Sequence, residues 1–121
     1  MKKCLIVGIC FALFACKNNK EEIVNDTCST AYVTYTATIA SIINSNGCLN
    51  CHNSTAMQGG FSLQTYDQVR TKASQNRAGN SVLYGSVAHL AGFSPMPRGG
   101  SQIGSCDITK IKAWIDNGMP Q

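Results

Sequence analysis

Cys48-Leu49-Asn50-Cys51-His52 is the stretch from which the rest of the chain can be read. Two thiols three positions apart, followed at once by an imidazole, form the attachment pattern for c-type haem. The chemistry explains the spacing. Each thiol adds across one vinyl group at the edge of the porphyrin, so both sulfurs must emerge on the same side of a single helical turn. The histidine directly after them swings under the ring and offers nitrogen to the iron. Leu49 and Asn50, between the thiols, carry no chemical role of their own.

A C-x-x-C pair also occurs as half of a zinc site or as a dithiol redox pair. Zinc needs further ligands at similar spacing, whereas the remaining cysteines and His89 are scattered singly. A thioredoxin-like site calls for a βαβ pattern, and no β-rich run flanks this one. Haem is the expected cofactor. A zinc-stabilised interaction module is the alternative from the structural class.

Working back from the motif, Asn46-Gly47 supplies a helix stop. Before it, Tyr32, Tyr35, Ile39, Ile42 and Ile43 fall at helical spacings and predict a helix from Thr30 with one apolar face. The β-branched threonines in this run lose rotamer freedom in a helix and weaken it. Residues Lys17 to Asp26 are polar and read as a flexible spacer, so a tether is expected over 16–27. Met1 to Ala15 has the form of an export signal: Lys2 and Lys3, then an apolar run from Cys4 that is too short to span a bilayer. It ends Leu13-Phe14-Ala15-Cys16, which resembles the lipobox of bacterial lipoproteins. That resemblance implies that Cys16 is lipidated and becomes the first residue of the mature chain. The anchor would then be acyl chains, each buried CH₂ adding roughly 0.8 kcal/mol.

Removing residues 1–15 from the 121 leaves 106, enough for one small domain over 28–121. A chain of that size buries a modest core, which a large apolar cofactor would extend. Lys2 and Lys3 leave with the signal, so eight basic residues face six acids and the mature charge is +2. With no basic run, nothing points to nucleic acid as a partner.

Beyond His52, Asn53 to Gly60 is a polar loop containing Met57. Thr65 or Asp67 can cap a helix running to about Ala73, and Asn80-Ser81 a further one through Val82, Leu83, Tyr84 and Val87. Ser74 to Gly79 reads as a linker between them. The next informative stretch is Ser94-Pro95-Met96-Pro97-Arg98-Gly99-Gly100. Iron held by His52 wants a ligand on its other face, and a thioether there raises the reduction potential. Prolines on both sides of Met96 stiffen its loop. Met96 is therefore the expected distal ligand. Met57 lies too close to His52 in sequence, Met119 sits near the free end, and His89 would give a lower-potential bis-imidazole site. Arg98 either reaches a haem propionate or is solvated. Asp107 to Asn117 has the strongest helical pattern: Ile108, Ile111 and Ile115 form a stripe, Trp114 packs beside it, Gly118 ends it and Pro120 prevents its resumption.

A helix delivering the chain to its haem motif, a later methionine loop and a C-terminal helix with an aromatic together resemble the class I cytochromes c. More narrowly, Met-Pro-Arg-Gly-Gly, then Asp-Ile, then Trp-Ile and Gly-Met-Pro are similar to small single-haem cytochrome c-like lipoproteins of bacteria. The resemblance covers roughly Cys28 to Gln121, but the glycine–aromatic pair frequent in the family's first helix is missing. It implies an all-α fold of short helices wrapped around one covalently bound haem. It also implies an electron carrier, not an enzyme, making transient contact with other redox proteins outside the cytoplasm, in the periplasm or at the cell exterior. With His52 and Met96 both on the iron, no position is open for substrate; a peroxidase-like enzyme or sensor with a labile sixth ligand is the enzyme-class alternative. Once lipid takes Cys16 and haem takes Cys48 and Cys51, Cys28 and Cys106 remain in an oxidising compartment. The family's crossing of first and last helices would let them meet as a disulfide; unpaired thiols or a disulfide to a partner are the alternatives.

Overall fold

The computed structural model describes residues 28–121. The expected signal, Cys16 and the expected tether lie outside the described residues. Within them the chain is mostly helical, with a single two-stranded hairpin. None of these helices is long and apolar enough to cross a membrane.

The first helical element starts later than the apolar spacing predicts. Tyr32 takes φ 57 and is 95% exposed, so it lies off the helix; Val33 is the buried residue instead. Thr34 then caps the turn, its hydroxyl accepting from the Ala37 N–H at 3.2 Å. A π-helical turn, Tyr35–Ile39, leads directly into α1, Ala40–Ser45. Thr30 stays outside the helix while Thr36 and Thr38 lie within its first turn, and Ile39, Ile42 and Ile43 enter the core as expected.

Helix α2, Tyr66–Ser74, has both halves of a capping box: Thr65 Oγ1 accepts from the Gln68 N–H, and Gln68 Oε1 accepts from the Thr65 N–H. Caps of this kind contribute about 1 kcal/mol. Ser81 caps α3, Val82–Val87, by accepting from the Tyr84 N–H. Between α2 and α3 the expected linker is in fact a hairpin: β1, Asn76–Arg77, pairs antiparallel with β2, Asn80–Ser81. Ala78 and Gly79 both take positive φ, as a two-residue turn with the right twist requires. Helix α4, Ser105–Asp116, begins at Gly104, so Cys106 and Asp107 lie in its first turn.

The two ends of the domain meet. The Pro120 carbonyl accepts from the Tyr35 N–H at 2.9 Å and from the Trp114 indole N–H at 2.8 Å. One acceptor thus satisfies an orphan donor at the start of the first helical element and the polar edge of a fully buried tryptophan. Trp114 stands in the core with Ile39, Val69 and Ile111. Asn46 Nδ2 donates to Asp107 Oδ2 at 2.9 Å, joining the end of α1 to the start of α4. Cys28 and Cys106 form a disulfide with their Cα atoms 5.1 Å apart. The pairing expected from subtraction is present.

Candidate functional site

Helix α1 ends on Asn46 and Gly47. Gly47 takes φ 67 and ψ 19, the left-handed conformation that commonly ends helices. A Cβ there would come within 3.0 Å of the Asn50 amide nitrogen. The redirected backbone winds at once into a 3-10 turn, Cys48–Asn50. The Cys48 carbonyl accepts from the His52 N–H at 3.0 Å and from the Cys51 N–H at 3.4 Å. Cys48 and Cys51 are therefore one helical turn apart, the spacing at which side chains lie over one another. Both are free thiols and both are half-buried. Burial pushes the Cys48 thiol above the usual cysteine range.

Asn53 fixes the chain after the motif. Its amide donates to the Leu49 carbonyl at 2.9 Å, and its side-chain oxygen accepts from the N–H groups of Thr55 and Ala56. The loop then returns: the Leu63 N–H donates to the His52 carbonyl at 2.8 Å, and the Gln58 N–H to the Cys51 carbonyl at 3.0 Å. This return brings Phe61 onto His52, with ring centroids 4.2 Å apart and planes 15° from parallel. His52 occupies one face of Phe61, so the Lys72 ammonium, 3.9 Å from the ring centroid, must cover the other. His52 is buried, and its Nδ1 has no hydrogen-bond partner. The imidazole is held by stacking and by its own backbone.

Met96 is half-buried, and its backbone is tied to the end of α3. Its N–H donates to the Ser86 carbonyl at 3.0 Å, and its carbonyl accepts from His89 Nε2 at 3.0 Å. Its hydrogen bonds thus run to α3 and His89, none to the Cys48–His52 turn. The Met96–Pro97 peptide is cis. His89 accordingly stands beside Met96, with its Nε2 engaged. Met57 is 46% exposed on the loop after His52, and Arg98 is exposed. Met119 is tied to α2, where its carbonyl accepts from the Tyr66 hydroxyl and its sulfur from the Ser74 hydroxyl.

The donor set of the turn fits haem: two unpaired thiols on one turn, then a buried imidazole with an orphaned nitrogen. Among the described residues no group of three or more His, Cys, Asp or Glu side chains converges to hold a metal ion. Two surface hollows of about 450 and 340 Å³ are lined by α2 and by the hairpin with α4; Cys48, Cys51, His52 and Met96 line neither. The contacts of Phe61 with His52 and Lys72, and that of His89 with Met96, cannot be read from the sequence, because positions 52, 61 and 72, or 89 and 96, share no periodicity. No family model, curated protein or solved structure matches this chain.

Proposed function

We propose that this chain is a single-haem c-type cytochrome of the class I kind, a carrier that passes electrons between redox proteins outside the cytoplasm while tethered to a membrane through Cys16. The observation that carries the reading is the Cys48–His52 turn. It holds two half-buried free thiols, while the other two cysteines of the described chain are joined in a disulfide. Bound haem supplies one-electron exchange at its iron. Cys48 and Cys51 would hold the macrocycle through their sulfurs, His52 would give nitrogen to the iron, and Met96 would give sulfur. Phe61 stacks on the His52 ring, and the Met96 backbone is tied to Ser86 and His89. With both residues as ligands no coordination position would be open to substrate, which is why electron transfer is proposed over peroxidase chemistry. The helical content and the contact between the first helical turn and α4 support the class I reading of the fold.

The test is a visible spectrum of the purified protein, oxidised and reduced, before and after acid–acetone extraction. Haem that stays with the polypeptide is expected, and Cys48→Ala with Cys51→Ala should yield protein without it. Haem that extracts freely, or a double variant with an unchanged spectrum, overturns covalent attachment. A wild-type protein without haem overturns the function. The intact mass of the same sample should show a lipidated N-terminus at Cys16; an unlipidated one sinks the tether.

A further inference from the structure

We infer that His89 is the positioning residue of the distal iron ligand: its imidazole clasps the Met96 backbone and so sets how firmly the Met96 sulfur stays on the iron. The inference rests on the reading that Met96 is that ligand.

The argument starts from the donors available in the loop. Pro95 and Pro97 have no N–H, so Met96 supplies the one backbone donor in the tripeptide. That donor goes to the Ser86 carbonyl in the last turn of α3. The Met96 carbonyl then needs its own partner, and His89 Nε2 lies 3.0 Å away. A carbonyl has no proton to give, so the imidazole carries its hydrogen on Nε2 and donates. Both polar groups of the Met96 backbone therefore end on one short stretch, Ser86–His89. With the backbone held in this way, the position of the Met96 side chain follows that of Ser86–His89.

His89 is shaped for this contact. It takes φ 50, left-handed space that few residues other than glycine occupy, and in which histidine is among the more frequent exceptions. The helix has ended at Val87, so the left-handed residue directs the chain away from the helix axis while its ring meets the returning loop. Phe93 closes the turn between them. It is buried against Gly85, where any Cβ would overlap the phenyl ring. Residues 85–96 thus form a closed loop whose two ends are α3 and Met96, with His89 as the side-chain link.

The variants are His89→Gly, which removes the ring at a position whose backbone suits glycine, and His89→Gln, whose amide can still donate. The holoprotein is titrated with azide, and the charge-transfer band of methionine-ligated ferric iron is followed against temperature. For His89→Gly, azide affinity should rise about five-fold, the ratio that one net hydrogen bond represents, and the band should be lost at lower temperature. Far-UV circular dichroism at ambient temperature should not change. His89→Gln should fall close to wild type. If both variants match wild type in azide affinity and band stability, the clasp is overturned while Met96 ligation stands. If wild type has no such band and takes azide as readily as Met96→Ala, Met96 ligation is overturned and the clasp falls with it.

Discussion

Between Gly47 and Leu63 the backbone bonds mainly to itself: the Cys48, Leu49, Cys51 and His52 carbonyls all accept from donors later in the same stretch. Between Ser94 and Gly100 the bonds of Met96 leave the loop and end on Ser86, in the last turn of α3, and on His89 just beyond it. The first region carries its own geometry, so two thiols and an imidazole are placed by a short piece of sequence. The second is placed by proxy, and whatever moves the end of α3 moves Met96. A covalent attachment point has to be right before haem arrives, whereas a thioether ligand can be adjusted through its support. In the proposed cytochrome, the His52 side is the fixed half and the Met96 side the tunable one.

The sharpest way to break that contrast is Met96→Ala. Loss of the thioether should open the iron to water, change its spin state and lower the potential on the order of 0.2 V, equivalent to about 4.6 kcal/mol for one electron. The haem should stay covalently bound, because the other region is self-supporting. Spectroscopy and a redox titration on the same sample check both halves. An unchanged potential moves the sixth ligand elsewhere, with His89 the bis-imidazole alternative.

The disulfide sharpens the contrast differently, since it should weaken both regions alike. Cys28 and Cys106 are 78 positions apart, so the chain-entropy model puts their crosslink at about 4.5 kcal/mol, while measured bonds more often give about 2–4. Denaturant unfolding of the holoprotein with Cys28→Ser and Cys106→Ser should show a loss in that lower range. The native spectrum at room temperature should be unaltered. A spectrum that changes before the domain unfolds would mean that the crosslink acts on one ligand side alone.

Some of this organisation was legible from residue types. The thiol spacing gave the turn, Thr65 and Ser81 announced their helices as caps, and Ile111 with Trp114 marked the buried face of α4. Local chemistry determines each of those. Tyr32 misled because an apolar residue at helical spacing counts toward a face whether or not the backbone there is helical, and its φ of 57 puts it outside. The Asn76–Ser81 hairpin was hidden because its strands are two residues long and polar. Asp107 suits a helix N-terminus, yet its contact with Asn46 depends on how α1 and α4 pack. The His52–Phe61 stack and the His89–Met96 bond are of the same kind: they exist because loops return, and no short window of sequence contains both partners.

The smallest expected effect, and the closest test of the fixed half, is Phe61→Leu. Leucine keeps an apolar side chain against His52 but removes the parallel ring at 4.2 Å and the surface over which Lys72 sits at 3.9 Å. An aromatic pair contributes about 0.5–1.5 kcal/mol beyond its buried area, and a partly exposed cation over a ring about 0.5–1 kcal/mol. Leucine recovers part of the packing, so the holoprotein should lose about 1 kcal/mol in denaturant unfolding. Phe61→Tyr should lose less. Lys72→Met separates the two contributions, because it removes the cation and leaves the stack. If Phe61 acts on the His52 ring, Phe61→Leu should also shift the potential, by less than Met96→Ala does, while Lys72→Met changes stability more than potential. The imidazole Nδ1 has no hydrogen bond to hold its orientation, so the stack is the contact available to do so. A Phe61→Leu protein with wild-type stability and potential would show that the backbone of the turn alone holds His52, and the contrast between a fixed and a tunable half would then rest entirely on the hydrogen bonds around Cys48.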